Sequence, residues 1–216
     1  MRYPSRCARL FATIGVCACA MLTGCGSDFD AVANLNSTGS RIVCLGDSIT
    51  KGYGATPGND YPSILSSLLG IPVINAGVNG DTTAGALARL RRDVLDQDPW
   101  LVIIELSGND LVRRIPKIET ERNLNQIVKR CIDRGAMVVL VHCKFGILLS
   151  DPYLETHQTI AETQGTLLVE DALRGIFGNP ARSVDHIHPN DEGYALLAER
   201  VFAVVGPLLR ESAKSR

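Results

Sequence analysis

Five short apolar runs, each followed by a longer segment of helical period, constrain the fold of this chain most. The runs are Ile42–Leu45, Pro72–Asn75, Leu101–Leu106, Met137–His142 and Thr166–Val169. They are continuous and rich in Val, Ile and Leu, as strands buried on both faces are. Between them, Tyr61–Leu69 reads as a short helix closed by Gly70. Thr82–Gln97 carries Leu87, Leu90, Val94 and Leu95 on one side. Ile118–Arg134 sets Leu124, Ile127, Val128 and Cys131 in one apolar stripe, with Gly135 after it. Pro152–Thr163 is a weaker helical pattern, and Asp191–Leu209 a long closing helix with acids in its first turn. Strand and helix in alternation predict an α/β fold: a five-stranded parallel sheet between helical layers, a three-layer α/β/α sandwich. Ligands of such sheets bind at the carboxyl ends of the strands. Ser48, the Gly80 region, Asn109 and His142 each follow a strand, so they are expected on one rim.

The amino terminus is different. Arg2, Arg6 and Arg9 precede an uncharged run, Leu10 to Leu22, which is short for a membrane span and has the form of a secretory signal. It ends in Leu22-Thr23-Gly24-Cys25, which resembles a bacterial lipobox. Residues 1–24 are therefore expected to be a lipoprotein signal peptide, Cys25 the acylated residue, and 25–40 a flexible tether of small polar residues. The other readings are an uncleaved anchor or an ordinary signal peptide. The lipoprotein resemblance implies a cell-envelope location, with Gly26 favouring the outer membrane, facing the periplasm. The domain proper is expected over 41–216.

The net charge of −1 on 216 residues, with no basic face along the sequence, argues against nucleic acid as a partner. Cys44, Cys131 and Cys143, the cysteines of the body, stand in apolar runs at irregular spacing, as buried small hydrophobes do; a Cys131–Cys143 bridge is the alternative.

Four blocks carry chemistry. Gly46-Asp47-Ser48 stops the first run at a serine. A serine on a strand-end turn suits a nucleophile, and equally a helix cap. Asn75-Ala76-Gly77-Val78-Asn79-Gly80-Asp81-Thr82-Thr83 is a glycine-rich turn that offers backbone N–H groups to an anion, or only a turn with Asp81 as the helix cap. Ser107-Gly108-Asn109-Asp110 supplies an amide donor, or an ordinary Asn-Asp turn. Asp185-His186-Ile187-His188 sets an acid three residues from an imidazole, close enough for a carboxylate to orient the ring, or forms a polar loop before the last helix. His186, next to Asp185, is expected to diverge from it. His186 and His188 lack a third metal ligand, and no dinucleotide or phosphate-loop glycine pattern follows the first strand. No cofactor or metal is expected.

Taken together and in this order, the blocks resemble the SGNH hydrolase family (the GDSL esterases and lipases) from about Arg41 onward, and within it the bacterial acyl-CoA thioesterase I, lysophospholipase L1 and arylesterase group. The resemblance implies a flavodoxin-like fold and a serine esterase acting on acyl esters or thioesters, including lysophospholipids. It also implies Ser48 as nucleophile, His188 as base and Asp185 as its orienting acid. The oxyanion donors would be the N–H groups of Ser48 and Gly80 and the side-chain amide of Asn109. Ser107 stands where that family has a glycine, so a left-handed backbone there would be strained. The apolar stretch Lys144-Phe145-Gly146-Ile147-Leu148-Leu149 would line an acyl groove or simply pack. A carbohydrate acetylesterase of the envelope, and a catalytically silent envelope lipoprotein, are the competing functions. Aromatic residues at 5% are few for a sugar platform.

Overall fold

Side chains leave a strand alternately on its two faces, and the first strand, β1 (Arg41–Gly46), feeds two separate cores in this way. Ile42 and Cys44 enter one, Val43 and Leu45 the other. The structure is a computed structural model and describes residues 29–144 and 151–215. After β1 come α1 (Ser48–Lys51), α2 (Tyr61–Leu69), β2 (Val73–Gly77), α3 (Thr83–Asp93) and a 3-10 turn at Leu95–Gln97. Then follow β3 (Pro99–Glu105), α4 (Gly108–Val112), α5 (Lys117–Asp133), β4 (Met137–Val141), α6 (Leu154–Gln164), β5 (Leu167–Val169) and α7 (Asp191–Lys214).

The sheet order is β2-β1-β3-β4-β5, and every pairing is parallel. Residues of α2 and α7 pack with the Ile42 side, and residues of α3, α5 and α6 with the Val43 side. This is the three-layer α/β/α sandwich read from the sequence. The expectation of strands buried on both faces holds for β1, β3 and β4. It fails for β2 and β5, whose residues are mostly half-buried because they form the two edges of the sheet.

The helix ends are chemically determined. Asp60 caps α2, Thr82 caps α3 and Asn190 caps α7, each side chain accepting a backbone N–H from the first turn. The α3 cap is thus Thr82 and not Asp81. Two short helices were not legible: α1 and α4, of four and five residues. They are too short to show a period; α1 starts at Ser48, and Asn109 is the second residue of α4.

The flexible tether expected over 25–40 is corrected for its described part. Val32 is buried, and Phe29 and Leu35 pack on the α2–α7 core. Ala33 N–H donates to the Gly165 carbonyl (2.8 Å), and the Asn34 amide donates to the carbonyls of Ile132 and Ala136. Apolar residues interspersed among the small polar ones find partners that composition does not reveal. The signal segment, Cys25 and most of the apolar stretch 144–149 lie outside the described residues. No described helix is long and apolar enough to cross a membrane. Cys44, Cys131 and Cys143 are free, buried thiols. Burial pushes the Cys44 and Cys131 thiols up to about 12.

Candidate active site

The β1 strand ends at Gly46 because only glycine fits there. A Cβ would clash with the Thr50 side chain and lie 2.6 Å from the Glu105 carbonyl. The chain then turns at Asp47, which caps α1 by accepting the Ile49 N–H at 3.0 Å. Ser48 is the first helical residue, so the capping alternative for Ser48 is excluded: Asp47 holds that role. A first-turn N–H has no preceding carbonyl to bond within the helix, so the Ser48 amide points beyond it.

From the other end of the sequence, the 183–189 loop closes on itself. Ser183 and Pro189 form an antiparallel bridge, and the Val184 N–H donates to the His188 carbonyl. Inside this loop Asp185 accepts the N–H groups of Ile187 and His188, both at 2.7 Å, through one carboxylate oxygen. Its other oxygen lies 2.8 Å from His188 Nδ1. His188 Nε2 lies 3.0 Å from Ser48 Oγ. Burial tends to raise the Asp185 carboxyl, but the bonds from the His188 N–H, the His188 ring and the Ile187 N–H outweigh it and hold it at about 2. The tautomer follows: with an ionised carboxylate at Nδ1, the proton sits there, and Nε2 presents a lone pair to Ser48. His186 is exposed and the neighbouring Asp185 turns away from it.

Asn109 is the second residue of α4, just beyond the end of β3. Its amide donates to Asp47 Oδ2 at 2.8 Å, which leaves its second N–H for the cleft it lines. That cleft, of about 110 Å³, is walled by Ser48, Ile49, Asn109, Val112, Ile187 and His188. Ser107, which precedes Gly108, has φ +110°, the left-handed backbone suspected from the missing glycine. Gly80 also has positive φ, +72°. It is not among the cleft walls, but its loop is tied in on two sides: Val78 N–H donates to the Gly46 carbonyl, and Arg113 donates to the Gly80 carbonyl at 2.6 Å. His142 follows β4 on the same rim, as expected, but it is buried and is not among the cleft walls. Its Nδ1 accepts the Asp171 N–H, its Nε2 lies 2.8 Å from Asp151, and its ring meets His157 edge-on.

Several contributors carried no sequence signal. Tyr53 lies against the His188 ring with centroids 4.5 Å apart and planes tilted by 51°, held by Tyr194, whose hydroxyl donates to the Tyr53 carbonyl. Asp110, fully buried, accepts from the N–H and hydroxyl of Thr83 and from Thr120, and so fastens α4 to α3 and α5. Glu105 lies beneath the nucleophile turn and accepts from Thr50 at 3.0 Å. Burial, and then the charge of Asp47, push the Glu105 carboxyl well up. Burial likewise raises Asp47, offset in part by its bonds from Ile49, Glu105 and Asn109. One proton between these two buried carboxyls removes the like-charge conflict. Among the described residues no group of three His, Cys, Asp or Glu side chains is placed to hold a metal.

Residues 44–196 match the GDSL-like Lipase/Acylhydrolase family. An arylesterase of Vibrio mimicus is 30% identical over 183 residues, 80% of this chain and 92% of that protein. Esterase TesA of Pseudomonas aeruginosa is 30% identical over 178 residues, 78% of this chain and 89% of that protein. A crystal structure of TesA superposes with a TM-score of 0.72, covering 78% of this chain and 99% of that one. Thioesterase 1/protease 1/lysophospholipase L1 of Escherichia coli is 25% identical over 179 residues, 80% of this chain and 86% of that protein.

Proposed function

Since the chain belongs to the GDSL-like Lipase/Acylhydrolase family and is a carboxylic ester hydrolase, we propose that Ser48, His188 and Asp185 carry its reaction. The observation that supports this reading is the unbroken line from Asp185 through both nitrogens of His188 to Ser48 Oγ, at 2.8 and 3.0 Å. Ser48 Oγ attacks the carbonyl carbon of an acyl ester or thioester while its proton passes to His188 Nε2. The carbonyl oxygen takes up the charge, and the N–H groups of Ser48 and Gly80 and the Asn109 amide receive it. As the carbon–leaving-group bond breaks, the alcohol or thiol takes the proton from His188. Water then attacks the acyl-serine, giving its proton to His188. The acid departs and Ser48 recovers its hydrogen. Loss of one oxyanion donor raises such a barrier by about 2.7–4 kcal/mol.

Val112 and Ile187, apolar, solvent-exposed and lining the cleft, support an acyl chain as the group bound beside Ser48. The substrates in this reading are aryl esters, lysophospholipids and acyl thioesters, the classes named for the relatives. A panel of p-nitrophenyl esters from acetyl to octanoyl tests it, with Ser48→Ala beside wild type. Hydrolysis by wild type alone, rising with chain length, is expected. Equal activity of the two proteins would overturn the serine mechanism, and a preference for acetyl would replace the acyl-chain reading with a sugar acetylesterase.

The lipobox-like Leu22-Thr23-Gly24-Cys25 supports anchoring at the envelope through acylated Cys25, in the outer membrane of a Gram-negative cell. Cys25→Ser is expected to move the protein from membrane to soluble fractions, and a variant that stays on the membrane refutes the anchor.

A further inference from the structure

Arg89 is a cation with little access to water: its side chain is 11% exposed, and that of its partner Asp81 is 9% exposed. Burial of this kind is costly unless every donor is used. Here four of the five N–H groups are bonded. Nε donates to Asp81 Oδ2 at 2.7 Å, Nη1 to the Ala76 carbonyl at 2.8 Å and Asp93 at 3.1 Å, and Nη2 to the Gly46 carbonyl at 3.1 Å. The partners are not random. Gly46 immediately precedes Asp47 and Ser48. Asp81 immediately follows Gly80. Ala76 is the penultimate residue of β2, the strand that leads into the Gly80 loop. The Gly46 carbonyl also accepts the Val78 N–H of that loop. One planar, rigid fork therefore joins the two backbone segments that present Ser48 and Gly80.

We infer that Arg89 is a positioning residue for the reaction, fixing the gap between the nucleophile turn and the Gly80 loop so that both N–H groups meet the same oxygen. It touches no reacting atom. The geometry is specific to a guanidinium: a lysine at 89 keeps the charge and can pair with Asp81, but a single ammonium cannot span Asp81 and both carbonyls. The inference rests on the ester-hydrolase reading above, which wild type against Ser48→Ala tests separately.

The experiment compares wild type, Arg89→Lys and Asp81→Asn on a p-nitrophenyl ester that wild type hydrolyses, at a temperature well below each melting point. Asp81→Asn leaves Arg89 in place and loosens only the Gly80 side. A misplaced donor acts in the transition state and not on bound substrate. Both variants are expected to lose about tenfold or more in kcat, with KM within about twofold. Inhibition by an alkyl boronic acid, which forms a tetrahedral adduct on Ser48, is expected to weaken by the same factor as kcat. A purely architectural arginine would lower the melting point and leave kcat and boronate affinity unchanged, and that result overturns the inference, as does a loss confined to KM. If Arg89→Lys does not fold, Asp81→Asn decides by the same two readouts.

Discussion

Ser48 Oγ and His188 Nε2 stand 3.0 Å apart although 140 residues separate them in sequence. Neither residue's own element makes this contact. Ser48 is set by the Gly46 turn and the Asp47 cap, and His188 by the turn that Asp185 closes around it.

Asp185 is the simplest of these supports to test. An asparagine at 185 presents an amide, which can donate to His188 Nδ1 and so favour the tautomer with its proton on Nε2, facing Ser48. Asp185→Asn is expected to lower kcat by on the order of 10⁴ with the fold intact, measured by ester hydrolysis and circular dichroism. The acid form offers a second check. The folded carboxyl titrates at about 2, below its ordinary value of 3.8. Its contribution to stability is therefore present above about pH 4 and lost as pH falls towards 2. Asp185→Asn should flatten the urea-midpoint profile in that window and nowhere above it.

Ser107 carries φ +110° without a side-chain cap bond to offset it. Such a backbone costs a non-glycine residue about 1–3 kcal/mol, against about 0.5–1 kcal/mol of extra chain entropy for glycine. Ser107→Gly should gain roughly 1 kcal/mol and raise the melting temperature by about 2–4 °C. Its effect on kcat should be within twofold, because Asn109 remains held by Asp47. A lower melting temperature would show that the serine has a compensating partner.

That strain was visible in the sequence, as were most of the elements that carry the site. Asp185, His188 and Asn109 sit in short blocks that each also read as a turn, cap or polar loop, and only the resemblance carried by the order of the blocks singled them out. The supports were not visible. Glu105 ends an apolar run and looks like a strand terminus. Asp110 looks like half of a turn. Tyr53 follows a glycine in a loop, and the docked segment around Val32 resembles a linker. Their roles come from partners 10 to 141 residues away, and no local period or spacing encodes such a partner. The short helices α1 and α4 were missed for the opposite reason: caps and strand ends decide them, not a repeating pattern.

Glu105 makes a stability prediction of one sign. Burial and the neighbouring Asp47 raise its folded pKa, so the fold binds a proton that the unfolded chain gives up near 4.5, the group's ordinary value. Stability therefore falls as pH rises through that value towards the folded one. A glutamine needs no proton: its carbonyl can accept from Thr50 and its amide can donate to Asp47. Glu105→Gln should be more stable than wild type at pH 8, and the difference should shrink at pH 5, in urea titrations. Activity should change by no more than a few-fold. A variant less stable than wild type at pH 8 would mean that Glu105 is ionised in the fold.

His157 gives the opposite slope. It is fully buried on α6, with Nδ1 2.8 Å from the Tyr153 carbonyl, which accepts its proton. Burial lowers its pKa to about 4; the bond to Tyr153 works against this, and the facing His142 adds to it, while Asp151 opposes it. The unfolded histidine titrates near 6.5. Between those values the unfolded chain binds the extra proton, so stability declines as pH drops from about 6.5 to 4. The loss should reach about 2 kcal/mol at pH 5 and about 3 kcal/mol below pH 4. His157→Leu removes the titrating ring and keeps an apolar side chain in its place. Unfolding free energies from urea titrations at pH 7.5 and 5.0 should then differ less for the variant than for wild type by that same 2 kcal/mol or so. Equal pH dependence in the two proteins would show that His157 charges within the fold, and would move the acid sensitivity to another group.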